Sequence, residues 1–403
     1  MSDSGSGDAR RRWIILGVVY LCILSFAIVL QSVPPILNIL IDEMRLSHAQ
    51  GGLLMSLFAL PGVAVSIPAG MLADRYGVKV IGIVSFVLVI AGVVVFATAQ
   101  SFAMLSAGRI VSGMGAMTLM VVAPQLLAHS FRGRELGTAM GVFNTGMPLG
   151  TILSLNLLSM LAESMGWRFS IWLTAYLCLG ALVLFGVYLM FLAPAHRKGE
   201  HGPASSAGLF QSIRQAGTAV WLVGVAWMLF NATVISLFTF TPDFLEGSGF
   251  SAASAGFLTS LVMWPTLVLS PAVGYIIDRV GRKLVIIGCA GVTLAAIVVL
   301  IPQATGWMLG LMLLIGIVQA FVPAPVFALI PDVVSPALLG LGYGIVSTCL
   351  NLGIVVGPAV AGLTKDASGS YQASYALMAG FALLIALAAS VLGLRQRARS
   401  RVL

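Results

Sequence analysis

The sequence predicts an all-α membrane protein: twelve transmembrane helices in two six-helix, pseudo-symmetric bundles. Three observations predict it. Of the 403 residues, 59% are hydrophobic and only 8% charged, with a mean hydropathy of +1.06. A soluble domain is about a quarter charged, so this chain has too little polar surface to cover itself and must turn much of it to lipid. Apolar runs of about 20 residues recur, each long enough to cross a hydrocarbon core of about 30 Å; the strands of a membrane barrel would instead show short alternating segments. Finally, motifs of the first half return in the second.

The predicted spans run near 13–35, 50–72, 80–98, 103–128, 136–160, 168–192, 219–242, 253–276, 283–301, 307–330, 338–361 and 373–394. Residues 1–12 are small and polar, then basic (Arg10, Arg11, Arg12), with no cleavage-site pattern, so the first apolar run is expected to stay as a helix. The most hydrophilic connection, 193–218, splits the spans six and six. The expected organisation is a tail (1–12), a first bundle (13–192), a linker (193–218), a second bundle (219–394) and a C-terminal tail (395–403). With both termini in the cytoplasm, all of the 21 basic residues fall on that side except Arg45, Arg109, Arg168 and Lys365. Basic residues accumulate in cytoplasmic loops, so the net charge of +8 reads as topology and gives no case for nucleic acid. Cys22, Cys178, Cys289 and Cys349 fall in separate spans and read as small packing residues. Trp13, Trp167, Trp221 and Trp307 fall at span ends and read as interface anchors.

After span 2 stands G-M-L-A-D-R-Y-G-V-K (Gly70–Lys79), and after span 8 its echo G-Y-I-I-D-R-V-G-R-K (Gly274–Lys283). F-N-T-G-M-P-L-G (Phe143–Gly150) likewise returns as L-N-L-G-I-V-V-G (Leu350–Gly357), one copy in the fifth span of each half. Gly77 and Gly281 suit helix C-caps. Gly70 and Gly274, one turn inside the helix, let a neighbour approach. Asp74 and Asp278 can accept from a helix N-terminus.

On these motifs the chain resembles the major facilitator superfamily over nearly its whole length. The loop G-x-L-x-D-R-x-G-x-K is matched by Gly70, Leu72, Asp74, Arg75, Gly77 and Lys79, with Val78 where the family usually has Arg. The second copy keeps Asp278, Arg279, Gly281, Arg282 and Lys283 but has Ile276 in place of Leu. The resemblance implies a secondary transporter working by alternating access, with both loops acting as cytoplasmic gates; the alternative is that their charges only enforce topology. G-I-V-V-G-P (Gly353–Pro358) resembles an element of the family's antiporters, but close packing at small residues explains it equally well, and the span-5 copy is degenerate.

The only charge deep in a predicted span is Arg109, about 10 Å below the outer surface of span 4. A charged side chain there costs about 3 kcal/mol or more. Its surroundings, Arg109, Gly113 and Gly115, resemble a span-4 pattern that the family associates with proton-coupled transport. Three roles compete. Arg109 can bond carbonyls near Leu30 and Gln31, left free because Pro34 and Pro35 bring no N–H. It can meet an anionic substrate, or it can tune a nearby acid. The candidate acid is Asp243, near the end of span 7, on one helical face with Thr239 and Glu246; the plain alternative is that Asp243 and Glu246 are solvated at the outer mouth. On span 1, Tyr20, Ala27, Gln31 and Asn38 fall on one line at about 100° per residue. With Asn144, Asn231, Trp264, Gln319 and Asn351 they outline a modest, mostly apolar substrate site, although each residue taken alone can simply bond between helices.

Absences narrow the substrate. Similarity to nitrate porters would require arginines in spans 2 and 8, organophosphate exchangers carry basic residues in spans 1 and 7, and peptide symporters carry charges in span 1; all are missing. After span 6 stands A-P-A-H-R-K, not a sugar-porter signature. The expectation is therefore proton-coupled transport of a small organic solute, a small monoanion among the candidates. The alternatives are proton-driven efflux of hydrophobic drug-like compounds, and a non-transporting sensor or scaffold on the same fold. No cluster has metal spacing and no enzyme motif appears, so neither cofactor nor metal nor catalysis is expected. The expected partners are the small-molecule substrate, the proton and the bilayer, for a monomer in a prokaryotic inner membrane.

Overall fold

The computed structural model describes residues 4–131, 136–191, 217–269, 273, 282–334 and 339–400. Among them, twelve helical segments are long and apolar enough to cross a membrane: 12–44, 48–65, 78–97, 102–124, 142–165, 167–187, 217–247, 252–269, 283–303, 305–330, 342–368 and 371–395.

Four spans, 1, 5, 7 and 11, run further at the predicted outer side than expected, span 5 as far as Met165. Span 1 does not stop at Pro34–Pro35. Its first helix ends at Leu30, a 3₁₀ turn covers Pro34–Ile36, and Leu37–Met44 resumes the α-helix. Proline is tolerated at the start of a helical segment because its missing N–H would be unpaired there anyway. The break also interrupts the 100° count, so Asn38 does not continue the polar line of Tyr20 and Ala27. The end of the extension is anchored: Trp167 Nε1 donates to Glu43 Oε2 at 2.8 Å, and Arg168 pairs with Glu43 Oε1. Trp167 is thus buried rather than an interface anchor, while Trp13, Trp221 and Trp307 are exposed. Span 7 runs through Pro242 to Gly247. Span 11 continues to Ser368 and stops where Gly369 takes φ +67° and donates its N–H to the Lys365 carbonyl at 2.9 Å.

The chain divides into two compact units, Met1–Met44 with Leu57–His201, and Arg45–Ser56 with Gly202–Leu403. The opening turns of span 2 therefore belong with the second unit. Each unit uses the repeated Asn-x-Gly-x-x-x-Gly motif in the same way. In the first, span 5 lies on span 1 so closely that a Cβ on Gly146 or Gly150 would collide with Ile23 and Ala27. In the second, span 11 lies on span 7, where a Cβ on Gly353 or Gly357 would collide with the backbone of Met228 and Ala232. Small residues let membrane helices approach to backbone contact, and the internal repeat preserves that contact in both units.

Candidate transport and proton sites

In the first unit the proline pair dictates the chemistry. An α-helical carbonyl accepts from the N–H four residues on, so Pro34 and Pro35 deprive Leu30 and Gln31 of donors. Arg109 Nη2 donates to the Leu30 carbonyl at 3.0 Å, and Ser154 Oγ donates to that of Gln31 at 2.7 Å. Arg109 Nη1 reaches the Val29 carbonyl at 2.7 Å, and the guanidinium lies 4.5 Å from the centre of the Phe58 ring. Arg109 is 2% exposed. These carbonyl dipoles and the ring face do not titrate.

The other predicted polar residues are scattered in role. Gln31 is fully buried, and neither end of its amide finds a hydrogen-bond partner. Tyr20 Oη lies 3.2 Å from Thr145 Oγ1. Asn144 and Trp264 are exposed. Asn231 Nδ2 donates within its own helix to Trp227, at 2.8 Å. Gln319 Nε2 donates to the Val262 carbonyl at 3.0 Å and to Thr266 Oγ1 at 2.8 Å, across the break at Leu261–Val262 in span 8. Asn351 is buried with its Oδ1 unpartnered.

The second unit gathers charge where the sequence suggested a solvated mouth. Asp243 is 5% exposed, so it is not solvated, while Glu246 is half-buried. Opposite Asp243 stands His48, whose Nε2 lies 3.2 Å from Asp243 Oδ2. The other ring nitrogen, Nδ1, lies 3.1 Å from Asp366 Oδ1. Asp366 also accepts the backbone N–H of His48 at 3.0 Å and of Ala49 at 2.7 Å, capping span 2 from a distant part of the chain. A carboxylate is favoured at a helix N-terminus. A local signal for the placement of His48 exists in S-H-A-Q: Ser47 and Gln50 form a capping box, with Ser47 N donating to Gln50 Oε1 at 2.9 Å and Gln50 N to Ser47 Oγ at 3.1 Å. It starts the helix at His48. The partners of His48 lie in the other half of the chain and carry no local signal.

Of the predicted gating residues, Gly70 lies in the helix His48–Tyr76, while the side chains of Asp74 and Arg75 lie outside the described residues, as do Gly274, Asp278, Arg279 and Gly281. Gly77 takes φ +90° and donates its N–H to the Ala73 carbonyl at 2.9 Å, a glycine-specific helix end. Lys79 starts span 3 half-buried and Arg282 precedes span 9 exposed. Lys283, beside Arg282, donates to the Ala328 carbonyl at 2.8 Å and to Asp332 at 2.7 Å.

Twelve spans, a two-fold repeat and paired loop motifs agree with a family model, that of the Major Facilitator Superfamily, which matches residues 19–257 and 242–402. The chain belongs to the Major Facilitator Superfamily. Among its relatives in that superfamily is the lysosomal dipeptide transporter MFSD1 of Danio rerio, 24% identical over 379 residues, 88% of this chain and 81% of that one. The hexuronate transporter of Bacillus subtilis is 26% identical over 371 residues, 86% of each. A solved structure of the nucleoside transporter NupG superposes with a TM-score of 0.80 at 15% identity, covering 94% of this chain and 99% of that one, which establishes the shared fold. The chain is thus a multi-pass membrane protein of a family of secondary transporters, and not an enzyme.

Proposed function

We propose that this superfamily member is a proton-driven carrier of a small organic monoanion, a monomer working by alternating access in a prokaryotic inner membrane with both termini cytoplasmic. The observation that carries the reading is Asp243: a carboxyl group almost fully buried in span 7, with a titratable partner in place of a fixed cation. Intramembrane acids are expensive and are characteristic of proton and ion pathways. The named cargoes of two relatives, hexuronate and dipeptides, both bear a carboxylate. For the solute itself, the buried amide of Gln31 in the first unit offers hydrogen-bonding atoms that the protein leaves unused; buried polar groups are ordinarily paired, and a polar solute would pair them. That favours a polar cargo over a hydrophobic drug. Arg109 takes the part of a positioning residue, holding the break beside Gln31. The loops at Gly70–Lys79 and Gly274–Lys283 take the part of gates.

The test is uptake of labelled glucuronate, a monoanion, into proteoliposomes under an inward proton gradient. Accumulation by wild type is expected. Asp243→Asn should abolish gradient-driven accumulation while solute exchange across the same membrane continues. The reading fails if wild-type uptake ignores the gradient, or if only lipophilic cations raise the melting temperature of the purified protein, since a ligand of the native state stabilises it.

A further inference from the structure

In the second unit both ring nitrogens of one histidine face carboxylate oxygens, at 3.1 and 3.2 Å. A neutral imidazole has one N–H and one lone pair. Whichever tautomer it takes, one nitrogen would set its lone pair against a carboxylate oxygen. The arrangement therefore requires one proton more than a neutral ring between two carboxylates. Asp366 receives two backbone N–H bonds besides the histidine, and these hold it as a carboxylate whatever happens to the ring. Asp243 Oδ2 is buried and accepts no hydrogen bond as placed, and its ion-pair partner is His48 Nε2 at 3.2 Å.

We propose that His48, Asp243 and Asp366 form a proton-binding site, in which the exchangeable proton lies between His48 Nε2 and Asp243 Oδ2 and Asp366 is the fixed anchor. Loaded, the site holds an imidazolium and two carboxylates, a net charge of −1. On release the Nε2–H bond breaks, the proton passes to water past the half-buried ring, and the site is left at −2. The Nε2 lone pair then confronts a buried carboxylate, an arrangement that costs free energy, and the first turn of span 2 loses its hold on span 7 while keeping its cap from span 11. Other groups facing the site do not replace the proton. From span 11, Lys365 turns its Nζ to the Gly369 carbonyl, 3.1 Å, and to the face of Tyr371, 4.4 Å from its centre. From span 12, Tyr371 meets the imidazole edge-on at 5.7 Å, and the Tyr375 hydroxyl is bonded to Thr241 at 3.0 Å. Glu246, one turn beyond Asp243, adds only further negative charge. Among the described residues no His/Cys/Asp/Glu group, this one included, has metal-holding geometry. The use of the site in transport rests on the proton-driven reading above; proton binding itself does not.

The experiment is a titration of the melting temperature of the purified full chain from pH 5 to pH 8.5, in wild type, His48→Gln, Asp243→Asn and, as control, Glu246→Gln. Release weakens the contact, so wild type should melt about 2–4 °C lower at the alkaline end. His48→Gln and Asp243→Asn should each lose that step, and Glu246→Gln should keep it. Labelling of a cysteine placed at Ala49 should rise with pH more steeply on the wild-type background than on Asp243→Asn, where only the thiol's own ionisation remains. An equal step in wild type and both site variants overturns the site, whatever transport shows. A step confined to proteins that keep both His48 and Asp243 supports it even if uptake proves independent of the proton gradient, in which case the transport reading alone falls.

Discussion

Arg109 in the first unit and Asp243 in the second are both almost fully buried charges inside a membrane protein, yet they are satisfied in opposite ways. Arg109 meets the Leu30 carbonyl, which Pro34 has stripped of its usual donor, the neighbouring Val29 carbonyl, and an aromatic face. Those partners are permanent at any pH. Asp243 meets a histidine, a partner that can leave its charge behind. The same physical demand, that a buried charge be paired, is met once by fixed dipoles and once by a titratable group. The first solution suits a joint that must stay set, and the second suits a joint that must respond. The internal repeat does not carry either charge over: the positions corresponding to Arg109 fall among Leu313–Gly316, and Asp243 likewise has no acidic counterpart in span 1.

The comparison breaks most readily at Arg109. Arg109→Ala leaves the Leu30 carbonyl without its donor, leaves that of Val29 with Ser32 alone, and opens space against Phe58, at a cost of about 3 kcal/mol. The purified variant should melt far below wild type at every pH between 5 and 8.5, with no change in the shape of the pH profile. Arg109→Lys, which keeps the charge but cannot span two carbonyls with a planar fork, should fall between. If Arg109→Ala instead folded as well as wild type and lost only anion-dependent stabilisation, the fixed-joint account would be wrong and Arg109 would belong to the substrate.

How far these two joints were legible follows from the same contrast. The acceptors at Leu30 and Gln31 could be read from the sequence because proline's missing N–H acts four residues away, a local rule. What could not be read is that Ser154, not Arg109, takes the second carbonyl, since that choice depends on how span 5 packs. The span ends were misjudged at Asp42–Glu43, Asp243–Glu246 and Lys365–Asp366 for one reason. A charge lowers hydropathy but does not unwind a helix, so the apolar run stops where the helix does not. The His48 cluster was invisible because its hydrogen bonds to Asp366 join residues 318 positions apart. Twelve spans and the repeat were legible because span length and glycine spacing survive in one dimension.

The glycines sharpen the comparison at the level of packing. The same repeated motif seats span 5 on span 1 and span 11 on span 7, but the obstacles differ. A side chain at Gly353 would meet the backbone of Met228, which cannot give way, whereas one at Gly146 would first meet the Cγ2 of Ile23, a side-chain methyl rather than backbone. Overpacking costs about 1–3 kcal/mol, and Gly353→Ala is expected at the upper end and Gly146→Ala at the lower. Thermal melts of the two variants side by side decide it. Equal losses would mean that the backbone of span 7 yields as easily as a side chain on span 1.

The smallest effect is expected at Asp366, and it separates anchoring from proton binding. Asp366→Asn keeps the shape of the side chain but removes the charge facing the start of span 2, where a carboxylate contributes about 0.3–1 kcal/mol when partly exposed. One of the two backbone N–H bonds can persist to the amide oxygen; the other is lost. A fall in melting temperature of about 2 °C or less is expected at pH 6. The pH step carried by His48 and Asp243 should survive in this variant, because the exchangeable proton lies on the other side of the ring. Loss of the step in Asp366→Asn would move the proton to the Nδ1 side, and the buried carboxylate of span 7 would then be the anchor.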